Sequence, residues 1–212
     1  QAATPQVLDA CWRAAGFRMG PCELMDLIGH DTNFAVTRSV YEANFYDKRY
    51  GPSLLQRDMV DGGLLGRKSG RGFYLYPNGA PDLPVAVHAA PSNAKELIVH
   101  GSGPIANALE TAAEVALQSQ GWGPARQEGS AWIGIEVNGA RLMMTDGRTA
   151  TQVRQDTGAA EVAVFDRLVQ WPWAPGTALA FATPFDATKA WRAQAASWLA
   201  ALGFSPQPLA DA

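Results

Sequence analysis

Four prolines within fifteen residues, Pro77, Pro81, Pro84 and Pro91, divide the chain. Each removes a backbone donor and fixes φ, so neither a helix nor a central strand can run through the stretch. A linker over residues 77–94 therefore separates a first segment, residues 1–76, from a second, residues 95–212. At 212 residues there is room for two small domains and not for three.

The two segments differ in charge. Residues 1–77 carry nine basic and eight acidic groups and residues 78–212 carry eight and twelve, so they stand near +1 and −4. Neither has the basic surplus that polyphosphate binding needs, which argues against a nucleic-acid partner. With 47% hydrophobic and 17% charged residues the chain has the material for a core. No apolar run approaches the ~18 residues of a membrane span, and residues 1–6 lack the layout of a signal peptide. Cys11 and Cys22 have no CxxC or Cys/His spacing, so we expect reduced thiols, a cytoplasmic setting and no metal. A first residue of Gln1 rather than Met points to a piece of a longer protein.

Residues 1–76 read as helical, because apolar positions recur at three-to-four spacing between helix start and stop residues. Pro21 opens a helix over residues 22–28 that Gly29 closes. Asp31 is placed to cap a second over 32–46, with Phe34, Thr37, Tyr41 and Phe45 on one face, and Pro52 opens a third that ends at Gly62-Gly63. Three helices make a small all-α unit whose apolar faces need cover from elsewhere. Residues 95–212 alternate: strand 96–100, helix 104–120, strand 141–145, helix 149–156, strands 161–166 and 177–183, and a helix over 187–202 capped by Asp186. Such alternation predicts a parallel, Rossmann-like sheet, for an overall α plus α/β architecture. The Trp171-Pro172-Trp173 cluster is expected to be a packing plug in a connection.

Two motifs invite a chemical reading. Gly101-Ser102-Gly103-Pro104-Ile105-Ala106 follows a strand and opens a helix, the setting of a dinucleotide fingerprint in which Gly101, Gly103 and Ala106 would let a pyrophosphate approach. Residues 121–129, however, offer no apolar second strand to carry a ribose-binding acid, and Pro104 removes an amide donor. A structural turn in a degenerate Rossmann unit is the expectation, with nucleotide or coenzyme A binding the alternative. Gly66-Arg67-Lys68-Ser69-Gly70-Arg71-Gly72 has the glycines and charge of an anion loop without the Walker pattern. Either Arg67, Lys68 or Arg71 meets phosphates of an acyl carrier, or the loop is a solvated turn. His30, His88 and His100 lie far apart with no nucleophile elbow nearby, so no complete catalytic constellation is expected.

The run from Gly16-Phe17-Arg18-Met19-Gly20-Pro21 to Gly29-His30-Asp31, then Arg49-Tyr50-Gly51-Pro52, then Gly66-Arg67-Lys68-Ser69-Gly70-Arg71-Gly72-Phe73-Tyr74, strongly resembles the C-terminal helical domain of bacterial 3-hydroxyacyl-CoA dehydrogenases. After Tyr76 the chain resembles the reduced Rossmann-fold domain of long members of that family, including those of phenylacetate breakdown. The resemblance implies a parent oxidoreductase that converts 3-hydroxyacyl-CoA to 3-oxoacyl-CoA with NAD, in fatty-acid or aromatic-acid degradation. It places the histidine–glutamate pair and the true NAD fingerprint in an amino-terminal domain that residues 1–212 do not contain, and the substrate-side asparagine on a first helix before Gln1. This chain alone is therefore expected to be inactive and to bind no cofactor. The resemblance further implies an acyl-CoA substrate, a homodimer, and substrate-cleft or scaffold positions at Met19, Gly20, Pro21 and Lys68.

Overall fold

A computed structural model describes residues 3–81, 83, 88, 91 and 94–211. Half of the expected linker, residues 77–94, lies outside these. The chain divides into two compact units: Thr4–Arg13 with Phe17–Leu83, and Pro84–Ala212 with the short pieces Gln1–Ala3 and Ala14–Gly16.

Among the described residues the first unit holds four α-helices where the sequence suggested three: α1 (Pro5–Ala14), α2 (Pro21–Ile28), α3 (His30–Ala43) and α4 (Leu54–Asp61). Pro21 occupies the first turn of α2, where its missing N–H is no loss. The structure moves α3 relative to expectation. Its N-cap is Gly29, not Asp31, and it stops at Ala43, because Phe45 and Tyr46 follow Asn44 at φ 54° and 62°, outside the right-handed helical region. Phe45 thus leaves the face it was expected to share, and is 93% exposed. α4 starts after Pro52 with a reciprocal capping box between Ser53 and Gln56.

The second unit is a seven-stranded sheet in the order β2-β1-β3-β4-β5-β6-β7. Its strands are β1 (Leu97–His100), β2 (Ala125–Gln127), β3 (Gly134–Val137), β4 (Ala140–Met144), β5 (Val162–Phe165), β6 (Thr177–Ala182) and β7 (Phe204–Leu209). The helices are α5 (Pro104–Leu117), α6 (Ala150–Thr157) and α7 (Lys189–Ala201). The sheet is mixed, not parallel as expected. β1–β2, β4–β5 and β6–β7 run parallel, each pair joined through one helix, while β1–β3, β3–β4 and β5–β6 are antiparallel. Asn138 and Gly139, both at positive φ, join β3 to β4 in two residues, too few for a parallel crossover. Thr188, not Asp186, caps α7 by accepting from Trp191 N–H, and Asp186 instead pairs with Arg154.

The side chains alternate between two apolar layers. Leu142, Ala163 and Phe165 join Leu109 and Leu117 of α5 and Trp198 and Leu199 of α7, whereas Met143, Val162 and Val164 pack on Val153 of α6. Helices therefore cover both sheet faces, the three-layer arrangement that strand–helix alternation implies.

Candidate functional site

Two carboxylates buried in the helical unit organise the motif residues. Asp9 sits on α1 with no solvent exposure and accepts from Cys22 N–H (2.8 Å), Glu23 N–H (3.1 Å) and the Tyr74 hydroxyl (2.6 Å). It thereby caps α2 from another helix, replacing the side chain that Gly20 lacks, and its charge is favourable at the helix start. Close approach is what Gly20 permits: a Cβ there would lie 2.3 Å from Asp9 atoms. Asp26 on α2 accepts from Phe73 N–H (2.9 Å), Tyr74 N–H (3.0 Å) and the Tyr76 hydroxyl (3.0 Å), and its Oδ1 lies 2.8 Å from His30 Nε2. Gly72 is needed because a Cβ at that position would come 2.0 Å from Asp26 Oδ1. The residues that follow the glycine-rich loop therefore fold their amides onto Asp26. Ser69 stiffens the turn by accepting from Leu65 N–H at 2.9 Å.

These carboxylates impose on their neighbours. Burial first, then the charges of Asp9 and Asp26, pushes the Cys22 thiol up to about 12. Burial and the bond to Asp9 likewise push the Tyr74 hydroxyl upward. Lys68 donates to Asp31 at 2.7 Å on the surface, a bond that draws the Asp31 carboxyl down. Arg67 lies over the Tyr76 ring at 5.5 Å, and Arg71 is exposed. Met19 is half-buried between α1 and α2 in sequence and Pro21 begins α2. The structure thus brings Gly20 and the Cys22 N–H against Asp9, with Pro21 between them in sequence and Lys68 on the loop whose following residues bind Asp26.

The turn at residues 101–106 lies in the second unit, between β1 and α5, in the expected strand–turn–helix setting. A short strand lies in residues 121–129, since β2 pairs parallel to β1, but its residues are Ala125-Arg126-Gln127 and not an apolar run. What fills the space beside the turn is Arg126 on that strand. Its guanidinium donates to Gly101 O (3.2 Å), Ala106 O (3.0 Å), Asn107 Oδ1 (3.0 Å) and Glu110 Oε2 (2.9 Å). A Cβ on Gly101 would press on Trp132 O at 2.7 Å, whereas Gly103 faces open space.

Two histidines contact carboxylates. His30 is 1% exposed against Asp26, its ring edge-on to Phe73. His100 is 5% exposed, with Nδ1 2.7 Å from Ser130 Oγ, Nε2 3.8 Å from Glu136 and one face stacked on Trp132 at 4.1 Å. Burial holds the His100 imidazole below its ordinary value, against the pull of Glu136. Among the described residues there is no group of three or more His, Cys, Asp or Glu side chains that could hold a metal, and no helix long and apolar enough to cross a membrane. Sequence reading missed Asp9 and the reach of Asp26, since each meets its partners across tens of residues.

Comparison with known proteins follows the same division. Residues 1–76 match the 3-hydroxyacyl-CoA dehydrogenase C-terminal domain, and residues 142–212 match the 3-hydroxybutyryl-CoA dehydrogenase reduced Rossmann-fold domain. The chain is 57% identical over 75 residues to the 3-hydroxyadipyl-CoA dehydrogenase of Escherichia coli K12, covering 35% of this chain and 16% of that protein. Against a probable 3-hydroxybutyryl-CoA dehydrogenase of Deinococcus radiodurans the identity is 44% over 75 residues, 35% of this chain and 27% of the relative. The crystal structure of 3-hydroxybutyryl-CoA dehydrogenase from Escherichia coli K12 aligns with all of this chain and 37% of that one, at 29% identity and a TM-score of 0.69. The chain therefore spans well under half the length of these relatives. Two domain models of 3-hydroxyacyl-CoA and 3-hydroxybutyryl-CoA dehydrogenases thus match separate parts of this chain, and one solved 3-hydroxybutyryl-CoA dehydrogenase aligns with all of it.

Proposed function

We propose that residues 1–212 form a non-catalytic portion of an NAD-dependent 3-hydroxyacyl-CoA dehydrogenase, contributing substrate-cleft wall, scaffold and association surface. The parent would oxidise a 3-hydroxyacyl-CoA to the 3-oxoacyl-CoA in a cytoplasmic degradation pathway. The observation that carries the non-catalytic reading is burial: at 1% and 5% exposure, the imidazoles of His30 and His100 present no open nitrogen to a substrate hydroxyl. Met19, Gly20, Pro21 and Lys68 are scaffold beside the acyl-CoA cleft rather than reacting groups. The hydrogen bonds of Asp9 and Asp26 support this role.

The residues at the turn do not fit NAD. Arg126 occupies four acceptors there, and Pro104 lacks an amide. Association, as a homodimer in the parent, is supported by the exposed Val36, Val40, Phe45, Leu54 and Leu55 of the helical unit.

The test is an assay of the pure chain with acetoacetyl-CoA and NADH, followed at the NADH absorbance. No oxidation above the enzyme-free rate is expected, and turnover that scales with protein concentration contradicts the proposal.

A further inference from the structure

We propose that the second unit carries a binding site for an uncharged, predominantly apolar small molecule, in the cleft between α5 and the Trp171-Pro172-Trp173 connection. The inference is independent of the role proposed above. The cleft encloses about 700 Å³, the size of sites that hold small organic ligands. Its floor exists because α5 places Ala108 and Ala112 there, side chains too short to fill the space. Its rim keeps large apolar groups in water: Val115 is 67% and Trp171 44% exposed. Solvent contact of this kind at a concavity marks a surface that gains from being covered.

The lining decides the chemistry of the occupant. None of its side chains is ionisable. Three of its polar atoms are engaged with the protein: Thr111 Oγ1 donates to Asn107 O, Asn107 Oδ1 accepts from Arg126, and Trp173 Nε1 donates to Leu202 O at 2.9 Å. A phosphate or carboxylate entering the cleft would lose its hydration and meet no counter-charge. That excludes nucleotides and the phosphate-bearing part of coenzyme A. The wall is also pre-formed, since Trp173 is fixed between its bond to Leu202 and a stacked contact with Phe204 at 4.3 Å. Little ordering then opposes binding of a rigid apolar body.

The experiment titrates the intact chain with N-phenyl-1-naphthylamine, an uncharged fluorophore. We expect saturable enhancement at one probe per chain, with quenching of tryptophan emission. Ala112→Trp, which fills the cleft, should abolish the signal. Val115→Glu, which places a charge at its rim, should weaken binding at least tenfold, and both variants should keep the parent circular dichroism. Absence of saturation, unchanged affinity in both variants, or displacement of the probe by millimolar NADH or coenzyme A overturns the proposal. So does sedimentation showing a dimer that Val115→Glu dissociates, because the cleft would then be an interface between copies.

Discussion

The two units are held together by different means. Among the described residues, the buried apolar side chains of the helical unit are Cys22, Met59 and Tyr74, and buried beside them lie Asp9, Asp26 and His30. The α/β unit buries a continuous apolar cluster that runs from Leu97 and Val99 through Leu142 and Phe165 to Trp198 and Leu199. One unit is fixed by a few charged groups with many hydrogen bonds, the other by area removed from water. Carboxylate networks confer geometry more than stability, and lose heavily when one partner is removed. An apolar core loses in proportion to the volume deleted. The helical unit also leaves Val36, Val40, Leu54 and Leu55 exposed, the residues on which the proposed association rests.

The contrast is sharpest at Asp26. Asp26→Ala strips the acceptor from two backbone amides, a hydroxyl and the buried His30, and should cost on the order of 3–5 kcal/mol. Urea unfolding followed by tyrosine and tryptophan signals should show the loss in the helical unit. Leu142→Ala, with its side chain wholly buried in the sheet core, should cost about 3 kcal/mol in the α/β unit. An equal cost for Leu54→Ala, whose side chain is exposed on the helical unit, would break the contrast, since about 0.5 kcal/mol or less is expected there.

Titration separates the units as well. Because the His100 imidazole is lowered on folding, the unfolded state takes up its proton first as pH falls. The stabilisation is therefore present above the ordinary value of 6.5 and lost as pH drops through the folded value. Melting temperature of the α/β unit should fall over that range, and His100→Gln should flatten the decline. In the helical unit the Cys22 thiol, pushed up to about 12, should resist iodoacetamide at pH 8 until the unit unfolds. Alkylation of Cys22 at the rate of a small thiol would mean that the carboxylates are open to water.

What the sequence made legible was local. Pro21, Pro104 and Thr149 start helices through their own backbone constraints or caps, and Gly29, Gly62 and Gly158 follow the last helical residues. The family motifs were readable as residue patterns, although the glycines in them answer to contacts far along the chain, Gly20 to Asp9 and Gly72 to Asp26. Missed elements depend on neighbours. β2 is three residues at one edge of the sheet and β7, with Pro206 and Pro208, is the other edge, where a missing donor costs little. The β3–β4 hairpin did have a local sign, Asn138-Gly139, and so did α1 in Thr4-Pro5. Asp9 had none, since its hydroxyl partner Tyr74 is 65 residues away.

Amide hydrogen exchange on Asp26→Ala tests most directly whether buried carboxylates, rather than an apolar core, hold the helical unit. Protection should collapse across α2, α3 and the loop at residues 66–76 while β1, β4 and α7 keep their native rates. Unchanged protection in the helical unit, or an equal loss in both units, would contradict the account.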